Sequence, residues 1–138
     1  MKLSYIEHIG IAVKDLPSSV EMYEKIFGLK CYKTEEIASQ KVITAFFRIG
    51  TTRIELLAST DPDSSLSKFI EKKGEGVHHI AFAVNELEKQ LDDARAQGIR
   101  LVNEKPEKGA EGMDIAFIHP RSASGVLIEL CENKSING

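Results

Sequence analysis

Four side chains carry most of the chemistry open to this chain of 138 residues: His8, Glu55, His79 and Glu129. Each interrupts an alternating apolar run, and successive strand residues point to opposite faces of a sheet. Ile9, Ile11 and Val13 therefore share one face, while His8, Gly10 and Ala12 share the other. The pattern recurs with Ile80, Phe82 and Val84 against His79, Ala81 and Ala83. Ile54 and Leu56 oppose Glu55, and Ile128 and Leu130 oppose Glu129. Taken singly, a strand histidine reads as a half-buried structural residue and an alternating glutamate as a solvent-facing one. Together they read differently, because two carboxylates beside two imidazoles stay ionised in a buried place only if a cation is present. Two neutral imidazoles with one or two carboxylates bind a divalent metal and leave positions open for substrate. Cobalt, manganese, zinc, nickel and magnesium all suit such donors.

The elements that must position these groups come from a duplication. At an offset of 71, His8-Ile9-Gly10-Ile11-Ala12-Val13 falls on His79-Ile80-Ala81-Phe82-Ala83-Val84, with four of six positions identical. Near the ends of the halves, Arg53-Ile54-Glu55-Leu56-Leu57 stands beside Leu127-Ile128-Glu129-Leu130-Cys131. Each half reads as strand, helix and three strands, so the expected fold class is α+β: two tandem βαβββ modules with curved mixed sheets forming a cup. The whole chain is one domain, with module one at about 4–60, a joining helix at about 64–73 and module two at about 76–133.

In module one a strand over 5–13 leads to a helix that Pro17, Ser18 and Glu21 open with capping-box spacing. Leu16, Val20, Tyr23 and Phe27 form its apolar stripe, and Gly28 stops it. Asn85 with Glu88 opens the equivalent helix, with Leu87, Leu91 and Ala94 as its stripe. Strands are expected at 29–36, 41–49 and 52–58, and again at 100–104, 113–118 and 125–132; the last five residues read as loose.

Composition narrows the function classes. Eighteen basic and 21 acidic residues are mixed along the chain without a basic block, which argues against nucleic acid as a partner. The start lacks the uninterrupted apolar stretch of a secretory signal, and no apolar run is long enough for a membrane span, so the expected home is the cytoplasm with no membrane partner. Cys31 and Cys131 are too few for a disulfide framework and read as half-buried apolar fillers.

At these residues the sequence resembles the vicinal oxygen chelate superfamily, and within it the methylmalonyl-CoA epimerases. The likeness runs through Ile6-Glu7-His8-Ile9-Gly10-Ile11-Ala12-Val13, Gly76-Val77-His78-His79-Ile80-Ala81-Phe82, and His119-Pro120-Arg121 to Gly125-Val126-Leu127-Ile128-Glu129-Leu130. It implies a divalent metal held by His8, His79 and Glu129, with Glu55 in a fourth place that is a glutamine in some epimerases. That departure makes the site more anionic and leaves open whether Glu55 meets the ion directly or through water. The implied reaction epimerises (R)- and (S)-methylmalonyl-CoA by metal-assisted proton abstraction through an enolate, on an acyl-CoA substrate, in a homodimer. Some family members use a second glutamate from a middle strand of module one, but Val42-Ile43-Thr44-Ala45-Phe46-Phe47 contains no acid. Glu129, with Glu55, is then the expected base.

Other readings of the same fold are a glyoxalase I-type lactoylglutathione lyase, an extradiol dioxygenase and a metal-free small-molecule-binding protein. By alternation His78 points to the helix face as a packing residue. His119 before Pro120 reads as fixing a turn, and Lys105, Lys108 and Arg121 read as solvated surface charge that alternatively meets coenzyme A phosphates.

Overall fold

Alternation and turn chemistry build the βαβββ order twice in the computed structural model, which describes residues 1–134. The tail expected to be loose lies outside the described residues, apart from Lys134. The chain divides into two units, His8–His78 and Met1–Glu7 together with the chain from His79 onward. Among the described residues no helix is long and apolar enough to cross a membrane.

Module one contains β1 (Tyr5–Ala12), α1 (Leu16–Phe27), β2 (Lys33–Ile37), β3 (Val42–Ile49) and β4 (Thr52–Ser59), with α2 (Ser65–Lys73) as the joining helix. Its strands lie in the order β2-β3-β4-β1, antiparallel except for the parallel pair β1 and β4. The helix stripe packs as the sequence requires: Leu16, Val20, Tyr23 and Phe27 meet Ile11, Val13, Phe47 and Leu56 on one face of the sheet. On the opposite face the smaller Ala12 lies with Leu57 against Leu66 of α2. The start of α1 differs from expectation. Asp15, not Ser18, is the cap; its carboxylate accepts from the Ser18 amide at 3.0 Å. A carboxylate there also complements the positive end of the helix dipole. Gly28 ends α1 in the left-handed region, at φ 65°. The next strand begins at Lys33 rather than near residue 29, because the Glu24 carboxylate on α1 takes the Cys31 amide at 2.9 Å before the chain joins the sheet.

Module two contains β5 (Gly76–Ala83), α3 (Leu87–Ala96), β6 (Glu107–Lys108), β7 (Asp114–Ile118) and β8 (Ile128–Glu132), ordered β5-β8-β7-β6. Val84, Leu87, Leu91, Ala94 and Leu130 form its core with Phe82 and Ile128 beside them. Cys31 is half-buried as expected, whereas Cys131 is fully buried. The strand expected at 100–104 reduces to one bridge between Leu101 and Ile118. Asn103 replaces the rest of the ladder, its side-chain oxygen accepting from the Phe117 amide at 2.8 Å. Nor does Asn85 open α3. The first residue before the helix is Glu86 at φ 54°, without a side-chain cap of its own. Glu132 at the end of β8 caps the helix instead, accepting from the amides of Glu86 at 3.0 Å and Leu87 at 3.1 Å.

Because a remote carboxylate satisfies two helix-end donors, Glu132→Ala is expected to lower the unfolding free energy by about 1–3 kcal/mol. Glu132→Gln, which keeps one acceptor, is expected to lose less. Urea denaturation of the three proteins measures this, and an Ala variant as stable as the parent contradicts the capping role.

Candidate metal centre

Parallel pairing of the first and last strand is what brings histidine and glutamate together within each module. Between β1 and β4 the register sets His8 opposite Arg53 and Gly10 opposite Glu55. Alternation along β4 then puts Arg53 and Glu55 on the face that carries His8, and the β3 register adds Phe46 opposite Glu55. His8 and Glu55 are each only 3% exposed, and Arg53 1%. His8 Nδ1 lies 3.3 Å from Glu55 Oε2, and Arg53 Nη2 lies 3.0 Å from the same oxygen. The guanidinium also sits 5.2 Å from the centre of the buried Phe46 ring.

Module two repeats the arrangement with different neighbours. Ala81 pairs with Glu129 across β5 and β8, which leaves His79, two residues earlier, on the same face. His79 Nε2 lies 3.3 Å from Glu129 Oε1, and both residues are 5% exposed. Phe117 stands opposite Glu129 on β7 and presents its ring edge-on to the His79 imidazole at 6.1 Å. Ala81, Met113, Ile115 and Cys131 make this surrounding surface apolar.

These donor sets suit a divalent ion. Ligands at about 2.1 Å from one ion and at right angles to each other are about 3 Å apart, close to the 3.3 Å separation of nitrogen and oxygen in each pair. Imidazole nitrogen with carboxylate oxygen is the mixture that first-row divalent metals accept. Each module thus offers part of a coordination shell.

Arg53 is the member that sequence reasoning missed. Its i, i+2 relation to Glu55 on one strand was the available signal. Its buried guanidinium lies 3.0 Å from Glu55 and offsets the negative charge of that carboxylate. The remaining candidates take structural positions. His78 meets Phe69 of α2 edge-on at 4.8 Å, and burial lowers its pKa from 6.5 to about 4. His119 Nδ1 accepts from the Arg121 amide at 3.0 Å and fixes the turn Pro120–Ser122. Lys108 is tied to Asp114 at 2.7 Å, while Lys105 and Arg121 are exposed.

Comparison with known proteins follows the same features. The profile of the Glyoxalase/Bleomycin resistance protein/Dioxygenase superfamily matches residues 7–117. The uncharacterized protein YqjC of Bacillus subtilis is 43% identical, over 96% of this chain and 94% of its own length. Human mitochondrial methylmalonyl-CoA epimerase is 33% identical, over 93% of this chain and 73% of its own. A solved variant of Streptomyces coelicolor methylmalonyl-CoA epimerase, in complex with 2-nitronate-propionyl-CoA, superposes with a TM-score of 0.94 at 36% identity, covering 99% of both chains.

The half-buried His78 gives a pH dependence of definite sign. Its folded pKa, about 4, lies below the unfolded value of 6.5, so the unfolded chain takes up the proton first. Stability is expected to fall from pH 6.5 toward pH 4, by at most about 3 kcal/mol from this group. His78→Phe should flatten that part of the profile in urea titrations at stepped pH; an unchanged slope contradicts the assignment.

Proposed function

The chain belongs to the Glyoxalase/Bleomycin resistance protein/Dioxygenase superfamily, and from that membership we propose that it interconverts the R and S forms of methylmalonyl-CoA at a divalent ion held by His8, His79 and Glu129. It is an isomerase of the epimerase kind, with the vicinal oxygen chelate fold. The observation that carries the reading of the site is the buried imidazole–carboxylate pair, present once in each module at 3.3 Å. Neither pair alone supplies the three protein ligands that a catalytic ion usually has, and the two pairs together supply enough. Support for the substrate class comes from the relatives, one named a methylmalonyl-CoA epimerase and another solved with an acyl-CoA ligand.

The reaction needs little from the protein beyond placement and charge. The substrate carbon between a carboxylate and a thioester carries an acidic proton, and its loss leaves negative charge spread onto the thioester oxygen. A divalent ion, when bound, supplies Lewis-acid stabilisation of that charge. Glu129 is the proposed base: its carboxylate is buried among apolar neighbours, where few waters compete for the proton it takes. Ala81 and Gly10, opposite the two glutamates across the sheets, leave room for a ligand beside each carboxylate. Glu55 is the carboxylate of module one in this set, with Arg53 Nη2 3.0 Å from its Oε2.

The test is solvent deuterium uptake. In heavy water the chain is expected to exchange the acidic carbon proton of methylmalonyl-CoA, and to turn over the hemithioacetal of methylglyoxal and glutathione poorly. The reverse ranking contradicts the epimerase reading in favour of a lyase. Glu129→Gln should cut the exchange about a hundredfold or more with the circular dichroism spectrum unchanged; near-normal exchange removes Glu129 from the mechanism.

A further inference from the structure

Of the apolar side chains that flank the proposed base, one keeps surface that packing does not use. Glu129 stands between Ala81 on β5 and Phe117 on β7, with Cys131 two residues along on the same face. Ala81 and Cys131 are 0% and 1% exposed, wholly enclosed in their apolar cluster. Phe117 is half-buried. Its chain neighbours Ala116 and Ile118 point into the core under α3, so alternation directs the uncovered part of the ring to the face that carries His79 and Glu129. The Phe117 amide donates to Asn103 Oδ1 and its carbonyl accepts from the Val102 amide, both at 2.8 Å and both away from β8. Phe117 and Glu129 are therefore a non-hydrogen-bonded pair, the kind whose side chains approach most closely. The corresponding place in module one is built otherwise. Phe46 stands opposite Glu55 but is 0% exposed, with Arg53 at 5.2 Å and Lys33 at 5.5 Å over its ring. Among the described residues no cation covers Phe117.

We propose that Phe117 is a specificity-determining residue: its uncovered ring is the wall that receives the alkyl group on the acidic carbon and limits the length of that group. This rests on the epimerase reading with Glu129 as the base. A carboxylate takes a proton only from a carbon held about 3–3.5 Å away. The other substituents of that carbon then lie in contact with whatever flanks the carboxylate. Two of them, the carboxylate and the thioester, are polar, and the alkyl group is the one that gains by leaving water against an aromatic ring. A ring on a strand bonded along both edges yields little to added bulk. The ligand class is thus an alkylmalonyl thioester with a short alkyl chain.

The experiment measures deuterium uptake from heavy water into methyl-, ethyl- and butylmalonyl-CoA by the full chain in manganese-containing buffer. In the parent, kcat/KM is expected to fall about tenfold or more from methyl to butyl. Phe117→Ala should raise the butyl-to-methyl ratio about tenfold or more, and Phe117→Leu, which keeps an apolar residue in the cluster, by a smaller factor. Circular dichroism identifies the folded variants, and Phe117→Leu decides if Phe117→Ala does not fold. A merely structural phenylalanine would slow all three thioesters alike, so a parental ratio in a folded variant overturns the inference. So does a parent indifferent to chain length. A parent that exchanges none of the three overturns the epimerase reading instead, and calorimetric affinities for the same thioesters, compared by the same ratio, then decide the role of Phe117.

Discussion

A carboxylate buried beside an imidazole, once in each half of the chain, is the interaction on which the rest of the structure depends. Neither group is stable as an isolated charge in such a place. The apolar side chains decide that they must be there. Ile11, Val13 and Leu56 in module one, and Phe82, Val84 and Leu130 in module two, are drawn to the helices, and alternation turns His8, Glu55, His79 and Glu129 to the opposite faces. Parallel pairing of first and last strands then closes the distance between residues far apart in sequence. Hydrophobic burial on one side of each module's strands thus creates the polar contact on the other.

The two halves solve the same electrostatic problem differently. In module one the Arg53 guanidinium stands 3.0 Å from Glu55 and opposes its charge. In module two Glu129 faces Phe117 and Ala81 across its ladders, an apolar setting that favours a cation nearby when the carboxylate is ionised. Both pairs therefore keep the same 3.3 Å separation in different surroundings.

Much of this was legible from the chain alone, for an identifiable reason. The βαβββ repeat, the joining helix and the faces of β1, β4, β5 and β8 follow from period-two alternation and an internal match, both of which are local signals. What escaped was carried by distant partners. Glu132 opens α3 from the far end of the module, Glu24 delays β2 by taking the Cys31 amide, and Asn103 stands in for a strand. Local reading also chose Ser18 over Asp15, although both lie at plausible cap positions and only the geometry separates them. At the site, residue types and spacing identified the four ionisable groups. They did not reveal that a buried arginine shares the oxygen of Glu55, because a lone arginine on a strand reads as surface.

In the proposed function His8, His79 and Glu129 hold one divalent ion. Counting divalent ions by isothermal titration and elemental analysis tests it most directly, with the parent protein beside His8→Ala and His79→Ala. One ion per chain, lost alike when either histidine is removed, is the predicted result. Two independent ions per chain, or one that persists at full affinity without His8, would contradict it.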